Sequence, residues 1–341
     1  MNDAQELRLG TRGSHLALWQ ANTVAARVAA GGGPPCRIIV IKTDGDRLQS
    51  RPLSEIGGKG LFVKEIEDAL LAGEIDLAVH SSKDMSAVLP DGLTIAAALP
   101  RGNPLDALVL PALADGSRRM AAPEGHPSNA ISYQPSAMTL EALVGALGPQ
   151  PSIGTGSVRR IAQLMRIFPG ARFTGIRGNL DTRLRKLDQG AHDALVLAAA
   201  GLTRLGFASR ISLSIPAADC VPAPGQGIVA IEIRASDARV REAVARIDDA
   251  AAADALAAER ALLATLGGGC QTPVGALASV VDGDQLELIA VVAALDGSRV
   301  VRGRARAPRR DAAALGSRVG AQLLADGAGD ILAEAQTRSR S

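Results

Sequence analysis

The order of short β-branched runs and amphipathic stretches constrains this chain more than any single residue does. Leu7 to Leu9 reads as a strand, and residues 14–30 carry Ala17, Ala21, Val24, Ala25 and Val28 at helical spacing behind Ser14, a residue type that caps helix starts. RIIVIK at 37–42 is a second β-branched run. Residues 61–72 form an amphipathic helix closed by Gly73, and DLAVH at 76–80 is a short buried strand. The same order returns at SIG (152–154), a helix over 157–168, ARF (171–173), a helix near 179–188 and ALVL (194–197). Strands alternating with helices in this way imply two α/β units with mostly parallel sheets, and the two units are candidates for structural cousins.

The remainder changes character. IVAIEI at 228–233 is a further strand, and two Ala-rich helical stretches follow from about 236 to Leu266. Strands expected at 274–281, 286–294 and 299–306 are separated by Asp282-Gly283-Asp284 and Asp296-Gly297, residues that suit hairpin turns, and helices follow at 311–323 and 329–336. That is a small α+β unit. The stretch from about 115 to 150 is rich in Gly, Pro, Ser and Ala, carries Met120, His126, Tyr133 and a short helical segment TLEALVGAL, and reads as a surface insertion.

Composition narrows the function. The chain has 341 residues, 47% of them hydrophobic and 21% charged, which fits a globular protein of two or three compact units. No apolar run is long enough for a membrane helix, and the first residues lack the basic and apolar regions of an export signal, so a cytoplasmic protein is expected. Basic and acidic groups nearly balance, 37 against 35, and aromatic residues make up 2%; neither nucleic acid nor a membrane is expected as a partner. Charge is concentrated locally, however. Residues 157–210 hold ten basic groups (Arg159, Arg160, Arg166, Arg172, Arg177, Arg183, Arg185, Lys186, Arg204, Arg210) against Asp181, Asp188 and Asp193. An anionic ligand fits that excess, as does a solvated basic helix face.

Several segments can carry chemistry. Gly57-Gly58-Lys59-Gly60 precedes a helix but lacks the spacing of a nucleotide-binding P-loop, leaving a mobile lid or a plain loop. His80-Ser81-Ser82-Lys83-Asp84 follows a buried strand, where open α/β sheets place ligand groups. There Asp84 can stabilise a developing cation, or can pair with Lys83 at the surface. Gly154-Thr155-Gly156-Ser157 repeats this strand-to-helix geometry in the second unit, with Arg159 and Arg160 one turn on, and suits a carboxylate or phosphate. Of the three cysteines, Cys270 follows three glycines and is the best candidate for an accessible thiol, whereas Cys36 and Cys220 lie in apolar runs beside prolines. No two histidines or cysteines have metal-ligand spacing, so no metal is expected, and the four histidines offer no acyl-transfer context.

Taken together, TRGSHLALWQ (11–20), GGKGLFVKEIEDALL (57–71), DLAVHSSKD (76–84), GTGSVRR (154–160), IRGNLDTRLRKLD (176–188), LAAAGLTRLG (197–206), PAPGQG (222–227) and GGGCQTPVG (267–275) resemble the porphobilinogen deaminase (hydroxymethylbilane synthase) family. The resemblance implies an α/β fold: two periplasmic-binding-protein-like α/β domains plus a C-terminal α+β domain with a small antiparallel sheet. Mapped onto this chain, the first domain takes 1–104 and 228–247, the second 105–227, and the C-terminal domain 248–341. The implied activity is a transferase reaction of tetrapyrrole (heme) biosynthesis. Four porphobilinogen molecules are joined head to tail with loss of ammonia, on a covalent dipyrromethane primer, and hydroxymethylbilane is released by hydrolysis.

The resemblance also assigns residues. Cys270 would form a thioether to the dipyrromethane cofactor. Asp84, with Arg12 and Arg177, would be catalytic, the carboxylate holding the pyrrole N–H and stabilising the cation left when ammonia departs. Ser14, Lys83, Asp84, Thr155, Ser157, Arg159 and Arg160 would hold the cofactor, and Arg12, Arg177, Arg183, Arg204 and Lys59 the substrate or growing chain. The acetate and propionate arms of each ring give the local excess of arginine a reason. A monomer is expected. Two departures from the family pattern stand out: Ser86 where a proline is common, and Gly156 where a second hydroxyl is usual. The insertion also has no counterpart in the family pattern. A solute-binding protein for a small anion and a deaminase fold without activity are the competing readings.

Overall fold

The computed structural model describes residues 6–43, 63–112, 139–269 and 272–338. In chain order the first unit comprises β1 (Leu7–Thr11), α1 (His15–Ala30), β2 (Cys36–Val40), α2 (Lys64–Leu71), β3 (Leu77–Ser81) and β4 (Leu93–Ala98). The second comprises β5 (Asp106–Val109), α3 (Leu140–Leu147), β6 (Ser152–Gly154), α4 (Val158–Leu164), β7 (Arg172–Thr174), α5 (Leu180–Asp188), β8 (Ala194–Ala198), α6 (Ala199–Arg204) and β9 (Leu213–Ser214). The chain continues with β10 (Val229–Arg234), α7 (Ala238–Ala245), α8 (Ala250–Thr265), β11 (Val274–Val281), β12 (Gln285–Ala293), β13 (Val300–Pro308), α9 (Ala312–Leu323) and α10 (Gly329–Arg338).

Three sheets result, with strand orders β2-β1-β3-β10-β4, β7-β6-β8-β5-β9 and β11-β12-β13. The first two are built alike, as expected of structural cousins. β1 pairs in parallel with β2 and β3, as β6 does with β7 and β8, and in each sheet a crossing strand, β10 or β5, then enters antiparallel. This corrects the expectation of mostly parallel sheets. β10 runs antiparallel to both β3 and β4, and β5 to both β8 and β9, so half the pairings in each sheet are antiparallel. The exchange of strands is the physical cause: the chain crosses between sheets after β4 and again after β9, and each crossing strand enters from the opposite direction.

Burial follows the strand periodicity. In the first sheet Leu7, Leu9, Leu77, Val79, Ile231 and Ile233 pack against Ala21, Val24 and Val28 of α1 and Val240 and Val244 of α7. Across the sheet, Ala78 meets Ile66 and Leu70 of α2. The second sheet has one core with α3 and α4 and another with α5 and α6; α3, within the stretch expected to be a surface insertion, buries Leu143 and Leu147 in the first of these, which corrects that expectation for its last part. In the third unit, residues of α8 and α9 cover one face of the antiparallel sheet.

Local chemistry explains the boundaries. Ser14 caps α1 by accepting from the N–H of Ala17. Asn179 and Asp249 do the same for α5 and α8. The helix expected over 157–168 ends at Leu164 and the chain turns ahead of Pro169. The β11–β12 hairpin turns with Asp282 and Gly283 both at positive φ, the conformation that Asp-Gly favours.

Candidate active site

The carboxyl end of β3 runs directly into a 3₁₀ turn, Ser82–Asp84, which places Lys83 and Asp84 between two depressions. One, of about 390 Å³, is lined by Arg12, Ser14, Gln20, His80, Ser81 and Asp84. Its residues come from the ends of β1 and β3 and from the start of α1, where Gln20 donates to Ser81 Oγ at 2.7 Å. The other, of about 520 Å³, is bordered by Lys83, Ser157, Arg159, Arg260, Gly269 and Thr272 among others. The second crossover presses on the turn between them: Gly225, at φ +73°, leaves only 2.5 Å between a hypothetical Cβ and Ser82 Oγ. A side chain at 225 would therefore displace the turn that carries Lys83 and Asp84.

Charge is dense here. Burial is the largest effect on Lys83 and pushes its ammonium down to about 8; Asp84 and Asp106 oppose the shift, while Arg160 and Arg159 add to it. Burial also lowers Arg183, followed by the charges of Arg160 and Arg177, with Asp84 pulling the other way. Arg183 thus feels the charges of Arg160, Arg177 and Asp84 together. Mutually repelling, partly desolvated guanidiniums favour a carboxylate-bearing ligand.

Arg159 and Arg160 have an internal partner that the sequence reading missed. Arg159 Nη1 lies 2.7 Å from Asp106 Oδ2, and Arg160 Nη2 lies 2.7 Å from Asp106 Oδ1. Arg159 also donates to Val221 O, Arg160 to Val196 O, and Gln226 to the same Asp106 carboxylate. Burial alone would raise the Asp106 pKa, but the two guanidiniums hold it far below the usual carboxylate range. Both arginines are thereby oriented by Asp106, and Arg159 still borders the larger pocket. A lone aspartate heading the four-residue strand DALV gives no periodic signal, which is why Asp106 was not singled out.

The remaining expected residues divide. Ser157 caps α4 through the N–H of Arg160, and the buried Thr155 accepts from the N–H of Ser157, so both hydroxyls shape the strand-to-helix turn. Arg204 stands apart from the other arginines. It donates to Gly227 O at 2.6 Å in the second crossover, and its guanidinium lies 5.5 Å from the centroid of the Trp19 ring. Lys59 and Cys270 lie outside the described residues, although Gly269 and Thr272, on either side of Cys270-Gln271, border the larger pocket. Burial pushes the Cys36 thiol up to about 11 and the Cys220 thiol up to about 12, so both are protonated and unreactive at neutral pH. No cluster of metal-ligand residues occurs among the described residues.

Residues 7–242 match the family model described as "Porphobilinogen deaminase, dipyromethane cofactor binding domain", and residues 253–325 match "Porphobilinogen deaminase, C-terminal domain". The chain belongs to the porphobilinogen deaminase family. Relatives named porphobilinogen deaminase include one from Syntrophobacter fumaroxidans, 43% identical with 96% of this chain and 97% of that protein covered. Another, from Moorella thermoacetica, is 44% identical with 98% of each covered. Among solved structures, the Bordetella pertussis BvgS VFT2 domain is 14% identical at a TM-score of 0.38, covering 71% of this chain and 86% of that one. For a porphobilinogen deaminase family member, the basic pockets on either side of the Ser82–Asp84 turn fit a dipyrromethane with carboxylate arms. Their donors include the cationic Arg12, Lys83 and Arg159 and the hydroxyls of Ser14 and Ser157, and the larger pocket opens beside the glycine loop that precedes Cys270.

Proposed function

We propose that the chain is a hydroxymethylbilane synthase, a transferase that couples four porphobilinogen molecules head to tail and releases hydroxymethylbilane by hydrolysis. The observation that carries this reading is the placement of Asp84 and Lys83 on one turn between two pockets, with Arg12 on one side and Ser157 and Arg159 on the other. Bound through a thioether to Cys270, the dipyrromethane would supply the nucleophilic ring position from which the chain grows. Lys83, Ser157 and Arg159 would hold its carboxylate arms, with Arg160 fixed behind them by Asp106.

Asp84 does the electrostatic work in this reading. Its carboxylate binds the pyrrole N–H and stabilises the positive charge that develops as the carbon–nitrogen bond of the substrate breaks and ammonia leaves. Arg12 lines the same pocket, and Arg183 feels the charges of both Arg177 and Asp84. These three bind the acetate and propionate arms and hold the reacting carbons within attack distance. Lys59 is assigned a gating role over the cleft. Thr155 and Ser14 set the two strand-to-helix turns, and Arg204 ties the second crossover to α1. A cytoplasmic monomer completes the proposal, and a sedimentation measurement on the purified chain tests the oligomeric part.

Replacement of Asp84 by Asn tests the assignment. The variant is expected to fold, to bind porphobilinogen and to lose at least about a hundredfold in turnover, as for removal of one electrostatic stabiliser of a developing charge. Undiminished turnover would remove Asp84 from the mechanism.

A further inference from the structure

One buried polar cluster has no role in the account above. Alternation along β3 directs Ala78 and His80 to the face covered by α2. Antiparallel β10 pairs Ala230 with His80, so Glu232, two residues on, projects from the same face. His80 is 4% exposed, Glu232 0% and Glu67, in the first turn of α2, 6%. His80 Nε2 lies 3.1 Å from Glu232 Oε2. The contact is off the hydrogen-bond direction: His80 Nε2, both Glu232 oxygens and Glu67 Oε1 are buried with no aligned partner among the described residues.

Leaving a buried polar atom unpaired is costly, so several in one place call for a purpose. Burial, then Glu232, pushes the Glu67 carboxyl up, with Asp68 adding and His80 and Arg260 opposing. Glu67 is thereby inclined to hold a proton. The two carboxyl groups and the imidazole lie together in a dry interior. Of the three, His80 also borders the pocket that contains Asp84 and Arg12.

We propose that His80, backed by Glu232 and Glu67, accepts the ring proton released after each carbon–carbon bond forms, an inference that rests on the Asp84 pocket being the coupling site. The new bond joins the free α-carbon of the terminal substrate ring to the methylene of the incoming unit as the carbon–nitrogen bond breaks and ammonia departs. The attacking α-carbon then passes H⁺ to an imidazole nitrogen, and the electron pair of its C–H bond restores the aromatic ring. The Glu232 carboxylate offsets the imidazolium until the proton passes to water.

Single-turnover coupling tests this, using the cofactor-loaded enzyme and its His80→Gln and Glu232→Gln variants, each first extended by one unit of porphobilinogen deuterated at its free α-carbon so that the deuteron sits on the terminal ring, beside ¹⁵N-histidine spectra of the resting proteins. His80→Gln is expected to slow coupling by about a hundredfold and to show a primary isotope effect, because deprotonation becomes limiting. Glu232→Gln is expected to slow coupling less, to show the same isotope signature and to move the His80 nitrogen resonances; it carries the test alone where His80→Gln does not fold. Coupling at the wild-type rate, slowing without an isotope effect, or His80 resonances indifferent to Glu232→Gln would overturn the proposal. Full turnover by Asp84→Asn would remove the reading of the pocket itself. A dead Asp84→Asn beside a wild-type His80→Gln would remove only the part given to His80.

Discussion

At the residue scale, the two lysine and aspartate positions that the structure adds most to are Lys83 and Asp106. Lys83 titrates near 8 rather than at its ordinary 10.5 because it is desolvated beside two arginines. As pH rises from about 8, the native ammonium deprotonates while the unfolded chain keeps its proton up to the ordinary value. Stability contributed by this residue therefore increases between about 8 and 10.5. Substrate binding should change in the opposite sense. The KM for porphobilinogen is expected to rise above about pH 8 as the cation is lost, and a Lys83→Met variant should lack that limb of the profile. Asp106 shows linkage of the same sign at lower pH: its pKa is depressed in the native state, so its stabilisation is complete above the ordinary 3.8 and is lost as pH falls below it. Replacing it with Asn leaves two buried guanidiniums without a counter-charge, and a loss of about 3–5 kcal/mol in chemical denaturation is expected. Sequence alone placed Arg159 and Arg160 near the ligand from their motif. It did not show that Asp106 orients them, because the partner lies on a different strand and carries no local pattern.

At the scale of elements, helices were more legible than strands. The spacing of Ala17, Ala21, Val24 and Val28 behind Ser14 is what α1 buries and how it starts. By contrast, LTIAAA of β4 is half alanine and the two residues of β9 offer no periodicity, so neither strand was read, and the crossings between sheets followed only from the family resemblance. Helix α8 joins the pieces. Its Glu259, fully buried, pairs with Arg101 of the first crossover at 2.6 Å and accepts from the N–H groups of Gly225 in the second crossover and Ala278 of β11. Glu259→Ala should cost about 3–5 kcal/mol, since it strands a part-buried arginine and two buried N–H groups. Ser157→Ala, which removes one helix cap, should cost only about 1 kcal/mol. Denaturation of both variants at one pH checks the ordering, and equal losses would contradict it.

At the scale of the whole molecule, the two α/β sheets are tied by crossovers that hydrogen-bond to each other, Gly102 N–H donating to Gly227 O at 3.0 Å. Arg204 reaches the same carbonyl and covers Trp19, the single tryptophan of the chain. Tryptophan emission therefore reports on this junction, and Arg204→Gln is expected to change the emission of the resting protein; an unchanged spectrum would contradict the contact. The three-part layout and the family motifs were legible in part because TRGSHLALWQ, GTGSVRR and IRGNLDTRLRKLD sit where a strand gives way to a helix, whereas PAPGQG joins two strands. The antiparallel entry of β5 and β10 was not, because strand exchange is a long-range event with no local signature. The central claim, that Cys270 carries the primer on which porphobilinogen is polymerised, is tested most directly by the intact mass of the purified chain with peptide mapping, after incubation with porphobilinogen if the protein is bare. The expected result is added mass equal to two porphobilinogen units less their ammonias, located on Cys270, with Cys36 and Cys220 unmodified. A chain that stays bare at Cys270, or that carries the adduct on either of the other two thiols, would contradict it.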